Sequence, residues 1–310
     1  MVKIFSGRGN QQLSDKVAKI LKTNISKAEV VTFKNSEIRV RIEEQVKNDI
    51  CVVIQPTANP SNDNLMELFF FCDALHRQEA KQVIGIIPYF GYARQDIQHR
   101  SGECISANVI IRFLESIGFN KIYVFDLHDE ATEGVFSIPF KNLSALPLLA
   151  DKIKEYLKIE NPDVKFFSIV SPDQGGIERA RQFGTFFFGH DFFSVDVIEK
   201  KRDPNILHHT KALNLYGDVK GKIAILVDDI ITSGRTLING AALCSEKGAK
   251  EILVAVVHHE LSHETTEKLN TSAISRFFST DTIPLDDALK FEKLEELSVA
   301  GIIAEEIKTL

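Results

Sequence analysis

Hydrophobic residues follow two alternating patterns along the chain. Short runs such as Cys51–Ile54 and Val83–Ile87 are almost wholly apolar, which is typical of parallel strands covered on both faces. Longer stretches, Asn64–Gln78 and Ser106–Ile117, carry apolar residues at helical spacing. The strands predicted in the first half are Val2–Phe5, Val30–Phe33, Ile38–Ile42, Ile50–Ile54, Val83–Ile87 and Lys121–Phe125.

The second half repeats this alternation. Its predicted strands are Phe166–Val170, Ile223–Val227, Ile252–Val257 and Ala273–Phe278, and helices are predicted near Thr236–Lys247 and Leu294–Lys308. Two halves that each alternate strand and helix predict the α/β class, with two doubly wound, mainly parallel-sheet domains. The polar helical stretch Leu146–Asn161 marks the boundary. We therefore expect an N-terminal domain over residues 1–146 and a C-terminal domain over residues 147–292.

Composition narrows the classes of protein that this chain can belong to. The length of 310 residues fits two domains, and the formal net charge of −6 argues against general binding to nucleic acid backbones. No apolar run approaches the roughly 18 residues of a membrane span, and the amino terminus lacks the pattern of a signal peptide. The 4 cysteines are scattered and form no C-x-x-C pair. We expect a cytoplasmic protein with neither nucleic acid nor membrane as a partner.

The segment after the strand Ile223–Val227 carries the strongest functional signal. Two adjacent carboxylates are followed by a loop of small residues and then by a helix. Backbone N–H groups at a helix start, together with Thr and Ser hydroxyls, can bind a phosphate, and paired acids can accept hydrogen bonds from a vicinal diol. A phosphate and a diol at this separation describe ribose 5-phosphate. The alternative is a tight turn with two solvated acids. The candidate ligands are Asp228, Asp229, Thr232, Ser233, Gly234, Arg235 and Thr236.

The first half offers candidate groups for a nucleotide. Arg94 and Gln95 follow a buried strand, and the planar guanidinium of arginine suits a polyphosphate. In the turn after Val30, Phe33 is able to stack on a purine and Glu37 is able to accept from an exocyclic amine. Taken alone, this turn also reads as an ordinary polar hairpin tip.

Four further polar segments carry candidate functional groups. His128 follows a strand among acids, where it is either a structural residue or a ligand, and Asp173 lies in another strand–turn–helix segment. The charged run Glu199–Pro204 is either a solvated loop or part of a site. The pattern H-E-x-x-H at His259–His263 matches zinc proteases, but it directly follows a strand, and Ser262 is the expected N-cap of the next helix. We therefore reject a zinc site there.

The motifs identify a family by resemblance. The segment Asp228–Thr236 resembles the phosphoribosyl-diphosphate binding motif of type I phosphoribosyltransferases. Together with Ile86–Asp96, and over nearly the whole chain, the sequence is similar to ribose-phosphate diphosphokinases, also called phosphoribosyl-diphosphate synthetases. This resemblance implies type I phosphoribosyltransferase-like domains. It also implies transfer of the β,γ-diphosphoryl group of MgATP to ribose 5-phosphate, which feeds nucleotide biosynthesis.

The resemblance also assigns roles to residues. It implies Mg²⁺ as the cofactor, a homo-oligomer (a hexamer or a dimer-based assembly), and a C-terminal segment of about 293–310 that returns to the first domain. The implied ATP-binding residues are Phe33, Asn35, Ser36, Glu37, Arg94 and Gln95. The implied magnesium ligands are His128 and Asp173. Lys200 and Arg202 hold the positions of the two cations that act on the reacting phosphate, and Arg202 also contacts the sugar phosphate.

Four positions depart from the family pattern. Asn35 and Ser36 stand where Asp and Gly are usual, Ile97 replaces a basic residue, and Thr232 replaces a third acid of the loop. These departures indicate a divergent regulatory class. Two other functions stay open at this point. A phosphoribosyltransferase shares the Asp228–Thr236 segment but leaves the first half unexplained, and a non-catalytic regulatory relative would not need His128 or the cations.

Overall fold

The computed structural model describes residues 1–202 and 210–310, with the backbone alone for residues 200–202 and 210–213. It divides the chain into two units. The first unit comprises Met1–Ser144, Thr282–Pro284 and Ser298–Leu310, and the second comprises Ala145–Asp281 and Leu285–Leu297. Two short returns of the chain therefore join the first unit long after its main segment has ended.

The first unit is built on five parallel strands in the order β1-β4-β5-β6-β7, and β2 and β3 form a separate antiparallel hairpin. The elements are β1 (Val2–Ser6), α1 (Gln11–Leu21), β2 (Ala28–Thr32), β3 (Ile38–Ile42), β4 (Ile50–Ile54), α2 (Ser61–Arg77), β5 (Gln82–Ile87), α3 (Ser106–Ile117), β6 (Lys121–Phe125) and β7 (Phe140–Leu143). Buried apolar side chains of β4 and β5 pack with those of α2 and α3, including Val53, Val83, Phe71 and Leu114. This packing explains why the strands read as continuous apolar runs.

The second unit has seven strands in the order β10-β9-β8-β11-β12-β13-β14. All neighbouring pairs are parallel except β9 and β10. The elements are α4 (Leu146–Leu157), β8 (Phe167–Ser171), α5 (Ile177–Phe188), β9 (Val195–Arg202), β10 (Thr210–Tyr216), β11 (Ile223–Ile231), α6 (Arg235–Glu246), β12 (Glu251–His259), α7 (His263–Thr271), β13 (Arg276–Thr280) and β14 (Leu294–Leu297).

Helices cover both faces of this second sheet. Leu237 and Ala241 of α6 lie in one core cluster with Val170 of β8, whereas Phe187 of α5 packs against Phe167 of β8. Phe167 and Val170 point to opposite faces because side chains alternate along a strand. The predicted α/β class with doubly wound, mainly parallel sheets is thus confirmed.

The prediction of one helix over Leu294–Lys308 is wrong. Leu294–Leu297 is the edge strand β14, in register with β13 from Phe277, and the helix α8 (Ala300–Lys308) begins only afterwards. Pairing with a neighbouring strand overrides the helical spacing of so short a segment. In the first unit α8 packs against α1.

Two further segments differ from expectation at the strand ends of the second unit. The charged run after Glu199 continues β9 as far as Arg202, where the backbone pairs antiparallel with β10, and Asp203 and Pro204 lie outside the described residues. The strand predicted to end at Val227 continues to Ile231, in register with His259 of β12. Asp228 and Asp229 are therefore strand residues rather than the start of a loop.

All 4 cysteines are free thiols, in agreement with their scattered spacing in the sequence. Cys51, Cys72 and Cys244 are buried, and burial raises the pKa of each thiol to about 12, so these thiols stay protonated. Cys104 is exposed, and none of the 4 forms a disulfide. Within the described ranges, no helix combines the length and the apolarity that crossing a membrane requires.

Candidate active site

Two carboxylates lie close to the carboxyl end of β11. The Asp229 backbone N–H donates to Asp228 Oδ1 at 3.0 Å, which fixes the Asp228 side chain beside its neighbour. The Asp228 side chain is 15% exposed and that of Asp229 only 6%, so solvent reaches chiefly the first of the two. The alternative prediction, a tight turn with two solvated acids, is therefore wrong. The carboxyl ends of strands in an open α/β sheet are where ligands bind.

Arg179 is a functional candidate that the sequence analysis missed. It lies in the first turn of α5, and its Nη1 is 3.3 Å from Asp229 Oδ1 and 3.8 Å from Asp228 Oδ1. Its side chain is as buried as the acids that it contacts. In the sequence, the only indication of its role was its position in the helix that follows the Asp173 turn. Its proximity to the acids results from the pairing of β8 with β11, which sequence spacing does not reveal.

The environment of the pair shifts the proton equilibrium of Asp228. Burial raises the pKa of Asp228 well above its ordinary value, and the negative charge of Asp229 beside it raises the pKa further. The positive charge of Arg179 opposes this shift without cancelling it. The carboxyl oxygens of the pair are able to accept hydrogen bonds from a sugar diol.

The turn after β11 leads directly into a helix that has a glycine as its N-cap. Gly234 has a φ of 72°, a left-handed conformation that favours glycine, and α6 begins at the next residue. The N-cap has no side chain with which to accept from the first-turn N–H groups. Thr232 and Thr236 are half-buried, whereas Ser233 and Arg235 are exposed. This arrangement is suited to binding an anion at the helix start.

Helix α7 is hydrogen-bonded to the same turn. The Thr265 hydroxyl donates to the Thr232 carbonyl at 3.0 Å, and the Thr265 backbone N–H donates to Ser262 Oγ at 3.3 Å. Ser262 is the N-cap of α7, as predicted from the sequence.

His259 is the last residue of β12, where its Nε2 lies 3.2 Å from Glu296 Oε1, while His263 is the first residue of α7. The two histidines of the H-E-x-x-H pattern thus do not share a helix face.

Asp173 lies in the turn between β8 and α5, at the same edge of the sheet as the acid pair. Its Oδ1 accepts from the Gly176 N–H at 3.1 Å, and the Ser171 hydroxyl donates to its carbonyl at 2.6 Å. Its negative charge is close enough to raise the pKa of Asp228. The structure therefore brings Asp173, Arg179 and the acid pair together in the second unit.

In the first unit, the predicted nucleotide residues Arg94 and Gln95 follow β5 in an exposed loop. The Ser106 hydroxyl, at the start of α3, donates to Gln95 Oε1 at 2.7 Å, and the Gln95 carbonyl accepts from Ala107 N–H at 3.1 Å. Tyr92, two residues before Arg94, has a φ of 68°, which is strained for a bulky residue. Backbone strain of this kind is concentrated in functional loops.

The predicted adenine-binding residues lie at the tip of the hairpin of β2 and β3. Phe33 is 44% exposed, and the Arg39 guanidinium carbon lies 5.7 Å from the centre of its ring. The Glu37 N–H donates to Asn35 Oδ1 at 3.2 Å, and Ser36 has a φ of 69°. Ser36 thus adopts the backbone conformation that favours the glycine usual at this position of the resembled pattern.

His128 is exposed and follows β6, the neighbour of β5 in the first sheet. Its loop is fixed by Asn142, whose Oδ1 accepts from the Leu127 N–H at 3.2 Å. Among residues 1–202 and 210–310, no three His, Cys, Asp or Glu side chains gather into a metal site. Mg²⁺ keeps several waters and binds through one or two carboxylates plus substrate phosphates. The half-buried carboxylate of Asp173 offers one oxygen ligand of the kind that Mg²⁺ prefers.

The two predicted catalytic cations cannot be placed in the same way. The backbone of Lys200 and Arg202 lies on β9, in register with Ala212 and Thr210 of β10. Their side chains lie outside the described part of the structure.

The chain is similar to known proteins over its whole length. A family model described as the N-terminal domain of ribose phosphate pyrophosphokinase matches residues 2–118, and one described as the phosphoribosyl synthetase-associated domain matches residues 193–310. The ribose-phosphate pyrophosphokinase of Fusobacterium nucleatum is 38% identical over 307 residues, which cover 99% of this chain and 94% of that protein. The protein of the same name from Aquifex aeolicus is 37% identical over 310 residues, with 100% and 96% covered.

A solved structure agrees with these relatives. The crystal structure of phosphoribosylpyrophosphate synthetase from Mycobacterium smegmatis matches with a TM-score of 0.88 at 32% identity, covering 99% of this chain and 98% of that one. The parallel sheets and the acid pair before a glycine-capped helix define an α/β protein of the type I phosphoribosyltransferase-like class. Within that class, the chain belongs to the ribose-phosphate pyrophosphokinase family, which confirms the resemblance seen in the sequence.

Proposed function

We propose that this chain is an ATP-dependent ribose-phosphate diphosphokinase. The C1 hydroxyl oxygen of ribose 5-phosphate attacks the β-phosphorus of ATP, and the bond from that phosphorus to the α,β-bridging oxygen breaks. The β,γ-diphosphoryl group is transferred intact, which gives 5-phosphoribosyl 1-diphosphate and AMP. Membership of the family and a first unit with its own nucleotide-type loop support this reaction.

The observation that carries the proposal is the acid pair of β11 joined to the glycine-capped helix α6. Asp228 and Asp229 bind the ribose hydroxyls, because paired carboxylates can accept hydrogen bonds from a vicinal diol. The start of α6 binds the 5-phosphate through its N–H groups. The residues assigned to that phosphate are Thr232, Ser233, Gly234, Arg235 and Thr236, with Arg202 as a further contact.

The nucleotide is assigned to the first unit. Arg94 neutralises phosphate charge, and Gln95 is oriented by Ser106 so that its amide nitrogen is available to donate to ATP. Phe33, Asn35, Ser36 and Glu37 bind the adenosine part from the hairpin tip, where the exposed ring of Phe33 offers a stacking surface. In this family such hairpins often complete the site of a neighbouring subunit, and we propose a homo-oligomer, either a hexamer or a dimer-based assembly.

Magnesium completes the proposed site. His128 and Asp173 are the residues that would hold it, and the ion would neutralise charge on the transferring phosphates. Asp173 is oriented for this role by the Gly176 N–H and by Ser171. We assign the enzyme to the cytoplasm, where ATP and sugar phosphates are available.

Lys200 and Arg202 stabilise the charge that spreads over the transferred group. Phosphoryl transfer needs positioning and positive charge more than covalent help from the protein, and an added cation can be worth about 10³–10⁵ in rate. Lys200→Ala should therefore lower kcat by orders of magnitude and leave ATP binding nearly unchanged. Lys201→Ala is the matched control, because it removes the same side chain one residue away. Near-normal turnover of Lys200→Ala would exclude this lysine from the mechanism.

The product assay tests the function itself. Purified chain is incubated with ATP, Mg²⁺ and ribose 5-phosphate, and ³¹P NMR follows the phosphorus-containing products. We expect AMP and 5-phosphoribosyl 1-diphosphate in equal amounts, and repeats with inorganic phosphate and with ADP define regulation. Release of diphosphate from 5-phosphoribosyl 1-diphosphate and a free base would instead indicate a phosphoribosyltransferase. Ligand binding without turnover would indicate a non-catalytic relative.

A further inference from the structure

A cavity of about 460 Å³ lies in the second unit, away from the proposed substrate residues. It is located where β8, β9 and β11 begin, since its lining includes Phe167, Asp196 and Lys222. These strands are parallel, so the cavity is at the amino-terminal edge of the sheet and the acid pair is near the opposite edge. Its volume falls within the range of roughly 300–1,000 Å³ that small-molecule sites occupy.

Aromatic rings form one wall of the cavity. The rings of Phe188 and Phe193, both lining residues, have centroids 5.1 Å apart. Phe193 packs closely on α5, because a Cβ atom at Gly184 would lie 2.3 Å from its Cζ. The ring positions are therefore fixed by the helix. The two ring planes are inclined at 46°, so a planar aromatic ligand can stack on one ring and meet the other at an angle.

The polar lining is net positive. Lys165 and Lys222 both line the cavity, and within the described part of the chain neither ammonium has an ion pair at 4.0 Å or less. Asp196 is only 6% exposed and already has protein partners. The Ser168 hydroxyl donates to its Oδ2 at 2.6 Å, and the backbone of Asp218 donates to the carboxylate as well.

The Asp196 carboxylate is thus hydrogen-bonded by the protein. The lining itself carries two lysines and one acid, and the carboxylate of Asp218 outside the lining is close enough to act on Asp196. Burial raises the pKa of Asp196, whereas the hydrogen bond from Ser168 and the attraction to Lys222 lower it. A ligand that carries negative charge at the lysine side and a flat apolar body at the phenylalanine side complements this lining.

We propose that the cavity of Phe188, Phe193, Lys165 and Lys222 is a second ligand site, which binds a planar aromatic ring bearing one anionic group. The ring packs on the two phenylalanines and the anion binds the two ammonium groups. The site is independent of the proposed reaction, because no residue assigned to ATP or ribose 5-phosphate lines it.

Naphthalene-2-carboxylate is the probe, measured by isothermal titration calorimetry on the full chain saturated with ribose 5-phosphate and AMP. We expect a Kd of about 1 mM or tighter, which corresponds to roughly 4 kcal/mol. Naphthalene-2-methanol has the ring without the charge, and cyclohexanecarboxylate has the charge without the aromatic ring. Both should bind at least tenfold more weakly. Comparison with 2-naphthyl phosphate then distinguishes a carboxylate site from a phosphate site.

Variants locate the binding. The double variant Lys165→Met with Lys222→Met should weaken naphthalene-2-carboxylate binding at least tenfold, whereas Lys220→Met, an exposed lysine outside the cavity, should leave it unchanged. Phe192→Ser tests adsorption to the surface, because Phe192 is 86% exposed and does not line the cavity. The AMP-forming activity and the unfolding temperature of each variant report folding, and Lys165→Met alone serves if the double variant does not fold.

Three outcomes would overturn the proposal. They are no binding of naphthalene-2-carboxylate to the native chain, binding that survives loss of the lining lysines, and binding that is lost in Phe192→Ser. The last would assign the probe to the exposed aromatic surface. None of these outcomes bears on the AMP assay, so the second site and the proposed function fail separately.

Discussion

At the scale of single residues, the acid pair shows what sequence reasoning could and could not provide. Its residue types and its place after an apolar strand predict a site for a diol. The spacing does not reveal that β11 continues through both acids, that Asp229 is almost fully buried, or that Arg179 reaches the pair from α5. These properties depend on neighbouring strands that lie far away in the sequence.

The burial of Asp228 leads to a prediction about stability and pH. Its pKa is raised in the folded chain. The contribution of Asp228 to the free energy of unfolding is therefore complete below the ordinary aspartate pKa of about 4, and it is lost as the pH rises through the raised pKa. Asp228→Asn should therefore be more stable than the native chain at pH 8, by about 0.5–2 kcal/mol, while losing activity. Urea unfolding between pH 4 and 8 measures the difference.

The gain in stability of Asp228→Asn should shrink towards pH 4. Asp191→Asn changes an exposed aspartate of the same unit and should show no such trend. A gain that is constant across the pH range would contradict the assigned cause, because it would not depend on ionisation of Asp228.

Arg179 gives a second residue-scale prediction. It supplies positive charge beside the two acids, so Arg179→Met should remove the charge that offsets the repulsion between their carboxyls. We expect weaker ribose 5-phosphate binding, by about tenfold or more, since hydrogen bonds to charged groups contribute about 1.5–3 kcal/mol. Steady-state kinetics with varied ribose 5-phosphate provide the measurement. Arg181→Met, on the same helix but paired with Glu178 at the surface, should keep the native KM.

At the scale of elements, hydrophobic periodicity locates the buried strands well. The structure has β3, β4, β6 and α3 with the bounds that the sequence predicts. Two of the failures, β14 and the end of β9, are short or highly polar segments whose conformation depends on pairing with another strand. Local pattern carries little information about such segments, because a partner strand supplies their hydrogen bonds.

The helix start at Gly234 yields a prediction about local conformation. Gly234→Ala introduces a side chain at a φ of 72°, with its Cβ 3.1 Å from Thr265 Cγ2. The left-handed conformation should destabilise the second unit by about 1–2 kcal/mol and weaken ribose 5-phosphate binding. Gly301→Ala in α8 meets nothing within 4 Å and should instead stabilise the chain by about 0.5–1 kcal/mol. Thermal unfolding of both variants tests this contrast, and equal effects would contradict it.

The support of the phosphate turn by α7 is testable through one hydroxyl. Thr265→Val keeps the shape of the side chain but removes its donor to the Thr232 carbonyl. We expect the KM for ribose 5-phosphate to rise by about fivefold, which corresponds to a typical net hydrogen bond of about 1 kcal/mol. Thr265→Ser keeps the donor and should behave as the native chain. Thr266→Val removes a hydroxyl that donates within α7, to His263, and should also leave this KM unchanged.

At the scale of the whole molecule, two α/β units could be predicted from the repeated alternation of strands and helices in the sequence. The sequence does not indicate that Thr282–Pro284 belongs to the first unit, because three residues carry no periodic signal. The role of α8 in the first unit was implied only by resemblance to the family. Full-length similarity to ribose-phosphate pyrophosphokinases then connects both units to a single activity.

A crystal structure of the chain with ribose 5-phosphate bound tests the central claim most directly. We predict density for the 5-phosphate at the Thr232–Thr236 turn and for two ribose hydroxyls within hydrogen-bonding distance of Asp228 and Asp229. An empty turn, with the sugar phosphate bound elsewhere on the chain, would contradict the proposed mechanism.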